Sequence, residues 1–324
     1  MNGITRRGVV AALASPALPA FAQGDDWPSR PVTVISPYPP GGGSDIIARA
    51  VARALSEALG QPFVVDNRSG AAGSLGAAQV ARARPDGYTM LVGGSSPIAG
   101  NKLIYRNLPY DPERDFTPLS LVAEAPLMII AHPRLPVRTL PELIAYVRAR
   151  PGAVACANAG TGSKGHLAIL MLCNQTGMEL NHVPYRGTGP AQTDLLAGTV
   201  ELGIDTASVY VPHVRRGALH GIAVTSTRRM AQLPEVPTVA EQGQPGYEAT
   251  VWYGAVAPAG IPAAIPPRIA AVVDAWGRSD AGRTMLTELG MAAIGGTPED
   301  LGRAVSRELT IWRPVVEAAQ MTLD

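Results

Sequence analysis

The sequence predicts an α/β protein of two similar halves with a ligand cleft between them, and three observations carry that expectation. Strand and helix signals alternate along the chain, as in a mostly parallel sheet flanked by helices. Two glycine-rich turns, Pro40-Gly41-Gly42-Gly43-Ser44 and Gly160-Thr161-Gly162-Ser163-Lys164-Gly165, each carry a strand into a helix, roughly 120 residues apart. Two strand-like segments, 119–131 and 252–257, offer the connections between halves. The expected division is residues 27–125 plus 253–324 for one lobe and 126–252 for the other. A ligand would sit at the carboxyl ends of strands from both, and closure of one lobe on the other is the expected motion.

Residues 1–22 precede this architecture and have the zones of an export signal. Arg6 and Arg7 form the basic region, 9–18 is apolar but too short to span a bilayer, and Ala20-Phe21-Ala22 stands before a cut at Gln23. Thr5-Arg6-Arg7 satisfies the paired-arginine rule of twin-arginine export, but no Phe-Leu pair follows, so that route and general secretion both stay open. No later apolar run is long and uninterrupted enough for a transmembrane helix. A periplasmic, extracytoplasmic protein is expected.

The first strand reads over 32–35. In the helix after it, apolar residues from Ile46 to Leu59 recur at helical spacing while Arg49, Arg53 and Glu57 take the other face. Ser44 or Asp45 is placed to cap this helix and Gly60 to end it. A strand over 63–66, a helix entered through Gly70, Gly73 and Gly76, and a strand over 88–92 follow. The last ends in a small-residue loop, Gly93-Gly94-Ser95-Ser96. After the segment 119–131, interrupted by Pro126, the scheme repeats: helix 140–150, strand 153–157, helix to about 173, strand 180–183, helix 191–197, strand 200–204 ending at Asp205, helix 209–216 and strand 221–224. Helices near 267–277 and 299–319 finish the chain.

Composition excludes several classes. The signal takes two arginines from the 27 basic residues, leaving 25 against 26 acidic, a net charge of −1; nucleic acid is not an expected partner. At 46% hydrophobic and 16% charged, the chain can bury cores for about two domains. Cys156 and Cys173 are too few for a disulfide framework; lying on a strand and the helix after it, they either pair or stay as buried thiols. The five histidines, His132, His166, His182, His213 and His220, match no metal-ligand spacing, and no metal or other cofactor is expected.

The two turns suit an anion. A strand-to-helix junction aims free backbone N–H groups and the positive end of a helix dipole at one point, and glycines let the backbone approach without Cβ obstruction. The stretches Pro37-Tyr38-Pro39-Pro40-Gly41-Gly42-Gly43-Ser44-Asp45, Ala81-Arg82-Ala83-Arg84-Pro85-Asp86-Gly87-Tyr88, Leu108-Pro109-Tyr110-Asp111-Pro112, His166-Leu167, His182-Val183-Pro184-Tyr185-Arg186-Gly187 and Leu233-Pro234-Glu235-Val236-Pro237-Thr238 stand in an order that resembles one family. The chain is similar, over nearly all its mature length, to the substrate-binding receptors of tripartite tricarboxylate transporters, also called Bug receptors.

That resemblance implies a two-lobed periplasmic binding-protein fold of the type II class, with no catalysis. It implies capture of a small carboxylate and delivery to a membrane permease of one large and one small subunit, by a receptor expected to be a monomer. It carries the ligand site onto Tyr38 and Pro40, Gly41, Gly42, Gly43 and Ser44 in the first lobe, and onto Thr161, Gly162, Ser163, Lys164, Gly165 and His166 in the second. Ser95 and Ser96 match the loop meeting the far end of the ligand. Asp205 matches an acidic position that accepts from a ligand amine or hydroxyl or from ordered water. Lys164 departs from the family, where Ser, Thr or Pro is frequent. It either reaches into the cleft to pair with a second carboxylate or points into water.

Other readings compete. Gly160-x-Gly162-x-x-Gly165 fits a dinucleotide fingerprint, but the acid expected about 20 residues on is missing. Ser163 beside His166 raises an exported hydrolase, yet Thr161 stands where a nucleophile elbow needs glycine. A carboxylate sensor uncoupled from transport has the same sequence features as a transport receptor. Trp252 and Tyr253 read as hinge packing or as an aromatic lid. Nothing in the sequence names the acid.

Overall fold

The computed structural model describes residues 27–323; the expected export signal at 1–22, with Arg6 and Arg7, lies outside the described residues. Strands β1 (Val32–Ser36), β2 (Phe63–Asn67) and β3 (Thr89–Gly94) alternate with helices α1 (Gly43–Leu59) and α2 (Ser74–Ala81), and a short helix α3 (Asn101–Ile104) follows. The long strand β4 (Phe116–Ala131) leads to α4 (Leu140–Arg148), β5 (Ala155–Asn158), α5 (Lys164–Thr176), β6 (Asn181–Pro184), α6 (Thr188–Ala197), β7 (Leu202–Thr206), α7 (Val211–Arg215) and β8 (His220–Val224). Strand β9 (Thr250–Pro258) is followed by α8 (Ile265–Arg278), α9 (Asp280–Glu288), β10 (Ala292–Ala293) and α10 (Pro298–Ala318).

The strands run in the order β2-β1-β3-β9-β4-β7-β5-β6, with β8 and β10 also paired to β4. The sheet is mixed, against the expectation of a mostly parallel one. β1 is parallel to β2 and β3, and β5 to β6 and β7, but β9 and β4 run antiparallel to their neighbours. The two parallel triplets are legible because each is built of strand–helix repeats. β4 and β9 are joined to their partners by long excursions, so nothing local fixes their direction.

β4 belongs to both half-sheets. Its first part, to Pro126, pairs with β9, and Leu127–Ala131 pairs with β7 and β8. Pro126 stands at the changeover of partners, where a missing N–H breaks neither ladder. Thr225 fastens the same point: its buried hydroxyl accepts the Leu127 N–H at 2.8 Å and lies 2.5 Å from the Ala249 carbonyl oxygen.

Apolar residues of β1 and β3 are buried on both faces, as befits strands covered by helices. α1 packs its apolar stripe, with Ile47, Val51 and Leu55 fully buried, on the sheet and on α8. It begins behind Gly42, whose extended backbone caps it without a side chain, and ends at Gly60 in the left-handed conformation. Neither Ser44 nor Asp45 is the cap that the sequence suggested. Both lie inside the first turn, and the Asp45 carboxylate reaches back to accept the Gly41 N–H at 3.0 Å. The expected loop after β3 is instead a helical turn, with Ser95 at its start and Ser96–Gly100 leading into α3. α9 and β10 were not expected. Cys156 and Cys173 are free, buried thiols. No helix among the described residues is long and apolar enough to cross a membrane, and no His/Cys/Asp/Glu group among them could hold a metal.

Candidate functional site

A small cavity opens where the carboxyl ends of strands from both half-sheets meet. Its volume is about 60 Å³, room for a few heavy-atom groups. Three helices begin at its wall: α1 with Gly42, Gly43 and Ser44, α5 with Ser163, Lys164 and Gly165, and α6 with Thr188 and Gly189. No side chain caps α1 or α6, so their first-turn N–H groups keep their capacity to donate. Three converging helix starts add their positive dipole ends. β3 contributes Gly94, with Ser95 and Ser96 after it; β7 contributes Asp205 and Thr206, and β9 contributes Val251 and Tyr253.

Two glycines set how closely these elements meet. A Cβ on Gly43 would stand 2.6 Å from the Tyr253 hydroxyl, and one on Gly165 only 2.4 Å from the carbonyl oxygen of Ile204. Contacts that short do not exist between real atoms, so the helix starts lie where they do because both residues lack a side chain.

Ser44 Oγ, Ser95 Oγ and Asp205 Oδ2 are buried in this wall and have no hydrogen-bond partner. An unpaired buried polar atom costs about 1–3 kcal/mol, so three in one wall point to a polar occupant. The other Asp205 oxygen accepts the Thr206 N–H at 2.7 Å. Burial pushes the Asp205 carboxyl above the ordinary range, and the hydrogen bonds from Thr206 counter only part of that rise. Burial likewise pushes the Tyr38 and Tyr253 phenols up, so both keep their protons. Tyr38 donates its proton to the Ala72 carbonyl at 3.1 Å.

Of the residues expected at the site, Tyr38, Gly42, Gly43, Ser44, Ser95, Ser96, Ser163, Lys164, Gly165 and Asp205 are brought together around this cavity. Pro40, Gly41, Thr161, Gly162 and His166 are not in its wall. Gly41 and Gly162 support it from behind, through N–H groups donated to Asp45 and to His166 Nδ1. Thr161 lines a neighbouring groove with Tyr38, Pro39 and Tyr185. Ser163 caps α5 by accepting the His166 N–H on its Oγ at 3.3 Å, and the His166 ring nitrogen reaches back to accept the Gly162 N–H at 3.1 Å. Ser163 is thus bonded to the backbone of His166 and not to its imidazole, which leaves the nucleophile–base pair of a hydrolase unmade.

Lys164 fits neither expectation. It is 4% exposed, so it does not point into water, and its ammonium is engaged by Glu308 of α10, so it is not free for a ligand. Burial pulls its pKa down, and the Glu308 carboxylate opposes that fall. Thr188, Thr206 and Glu308 were missed from sequence. Glu308 did leave a signal: it is the charged residue on the buried stripe Leu301, Val305, Leu309, Trp312 and Val316. Trp252 and Tyr253, read from sequence as hinge packing or as an aromatic lid, are both buried. Trp252 packs in a core and donates its indole N–H to Glu308, while Tyr253 faces the cavity.

The model of the tripartite tricarboxylate transporter family receptor matches residues 47–321. Protein BugT of Bordetella pertussis is 37% identical over 310 residues, covering 95% of this chain and 94% of that protein. A Rhodopseudomonas palustris structure containing adipate superposes with a TM-score of 0.89 at 39% identity, covering 92% of this chain and all of that one. MatC of Rhodopseudomonas palustris, solved with bound malate, does so with a TM-score of 0.85 at 34% identity, covering 90% of this chain and all of that one.

Proposed function

Because the chain belongs to the tripartite tricarboxylate transporter receptor family, we propose that it is a periplasmic receptor for a small carboxylate, held between two closing lobes. The observation that carries this reading is the cavity wall: three helix N-termini and the unpaired Ser44, Ser95 and Asp205 atoms meet around one space. The acids named with the two Rhodopseudomonas palustris structures, adipate and malate, give the class of ligand. One carboxylate accepts from the starts of α1 and α5 and from the small hydroxyls. Asp205, neutral when its burial prevails, donates to the acid, or as an anion accepts from a ligand hydroxyl.

Charge-assisted hydrogen bonds contribute about 1.5–3 kcal/mol each. Three or four of them match the roughly 8 kcal/mol of micromolar binding, before the costs of ordering and desolvation. The lobes of this reading are 27–125 with 253–324, and 126–252. The closed form is what a permease of one large and one small subunit would receive, and the receptor performs no chemistry on its cargo.

The test is a thermal-shift series on the protein from Gln23, with adipate, malate and other small acids beside their neutral amides. A ligand at 100 times its Kd adds about 2.7 kcal/mol, so an acid of the right class raises the melting temperature by several degrees and its amide does not. A panel without any shift, on protein freed of co-purified acid, overturns the reading.

A further inference from the structure

Lys164 opens α5 in the half built on β5 to β8, whereas Glu308 stands on α10, which packs with the first half in the cluster of Leu301, Val305, Leu309, Ile35 and Leu91. Their side chains meet across the junction in an ion pair 3% and 5% exposed. Lys164 Nζ lies 4.3 Å from the centre of the Trp312 ring, and the Trp252 indole N–H donates to the second Glu308 oxygen at 3.1 Å. Lys164 is also part of the cavity wall, so Glu308 decides where that ammonium is spent. A buried ion pair is a weak source of net stability; this one joins two halves of the molecule beside the cavity wall.

We propose that Lys164 and Glu308 form a latch between the lobes, and that Glu308 is a specificity-setting positioning residue that withdraws Lys164 from the ligand. The latch needs no ligand; the specificity role rests on the receptor reading above. Opening the cleft separates the two charges and returns them to water, so the contact belongs to the closed form alone. With Glu308 in place, the acid meets backbone amides and hydroxyls, and no free ammonium selects for a second negative charge. Without it, Lys164 is released toward the cavity and a dianion gains a partner.

The test uses the full mature chain with spin labels at Ser69→Cys and Arg186→Cys, exposed positions facing one another across the groove beside the cavity. Cys156 and Cys173 are buried and take no label. Electron–electron resonance without added ligand reads the distance between lobes. Lys164→Met and Glu308→Gln are each expected to move most of the population to a longer distance, and the exchanged pair Lys164→Glu with Glu308→Lys to restore the short one. Cooperatively melting single variants with the parent's distance distribution overturn the latch.

A second arm compares malate with its monoamide by calorimetry. Glu308→Gln is expected to raise the affinity ratio of malate to monoamide by about tenfold, and Lys164→Met added to Glu308→Gln to remove that gain. An unchanged ratio in Glu308→Gln overturns the specificity role. A parent protein that no acid of the thermal-shift series stabilises sinks the receptor reading and the specificity role with it, while the distance measurement still decides the latch.

Discussion

At His166 the imidazole accepts the Gly162 N–H and stands with its ring centre 5.2 Å from that of His182. Burial first, and His182 second, pull its pKa from 6.5 to about 4. Between those values the unfolded chain binds a proton that the folded one refuses, so stability falls as pH drops from 6.5 toward 4. This residue's share between pH 7 and pH 5 is roughly 1–2 kcal/mol. Urea unfolding at the two pH values checks it, with His166→Gln losing less on acidification than the parent; equal losses refute the assignment. His182 and His220 are lowered in the same direction by burial and add to the parent's slope. The sequence displayed Ser44, Ser95, Ser163 and Asp205 because turn and hydroxyl residues advertise a strand's end. It hid the bond from the Gly162 N–H to the His166 ring, because which ring nitrogen meets which amide is a matter of local geometry. Thr188 was hidden because its neighbours in space are remote in the chain, and for the same reason the charge at Glu308, visible on its apolar stripe, did not name Lys164 as its partner.

Helices and strands were legible where the pattern was periodic and the boundary residue local. α1, with its apolar stripe and terminal Gly60, is the clearest case. α9 and the turn after β3 were not: α9 is short and polar, and Ser95-Ser96-Pro97 reads as a loop until the packing of Ile98, Ala99 and Ile104 holds it helical. How tightly two elements approach was also invisible. At the start of α5, Gly165→Ala puts a methyl into the Ile204 carbonyl and is expected to cost about 1–3 kcal/mol, with loss of carboxylate affinity as the helix start retreats from the cavity. Gly189→Ala, which meets nothing within 4 Å, is expected to keep full stability. Urea midpoints of the pair decide it, and equal midpoints would remove close approach as the reason for glycine at 165.

For the whole molecule, the division into α/β halves follows from repeated strand–helix units, while the antiparallel run of β4 and β9 follows from where long connections return. Both connecting strands meet at Thr225, whose hydroxyl serves Leu127 and Ala249 together. Thr225→Val keeps the shape and orphans a buried N–H, at about 1–3 kcal/mol. Amide exchange is expected to quicken at Leu127 above other β4 sites; uniform exchange along β4 would show that the hydroxyl is not the fastening. The place of β9 between β3 and β4 bears on the order of synthesis. β5 to β8 leave the ribosome as one uninterrupted stretch, but β3 must wait for β9, and Lys164 for α10, near the end of translation. The Lys164–Glu308 contact is therefore among the last features to be completed, and a nascent or truncated chain that stops short of α10 leaves the Lys164 ammonium beside the cavity without its carboxylate.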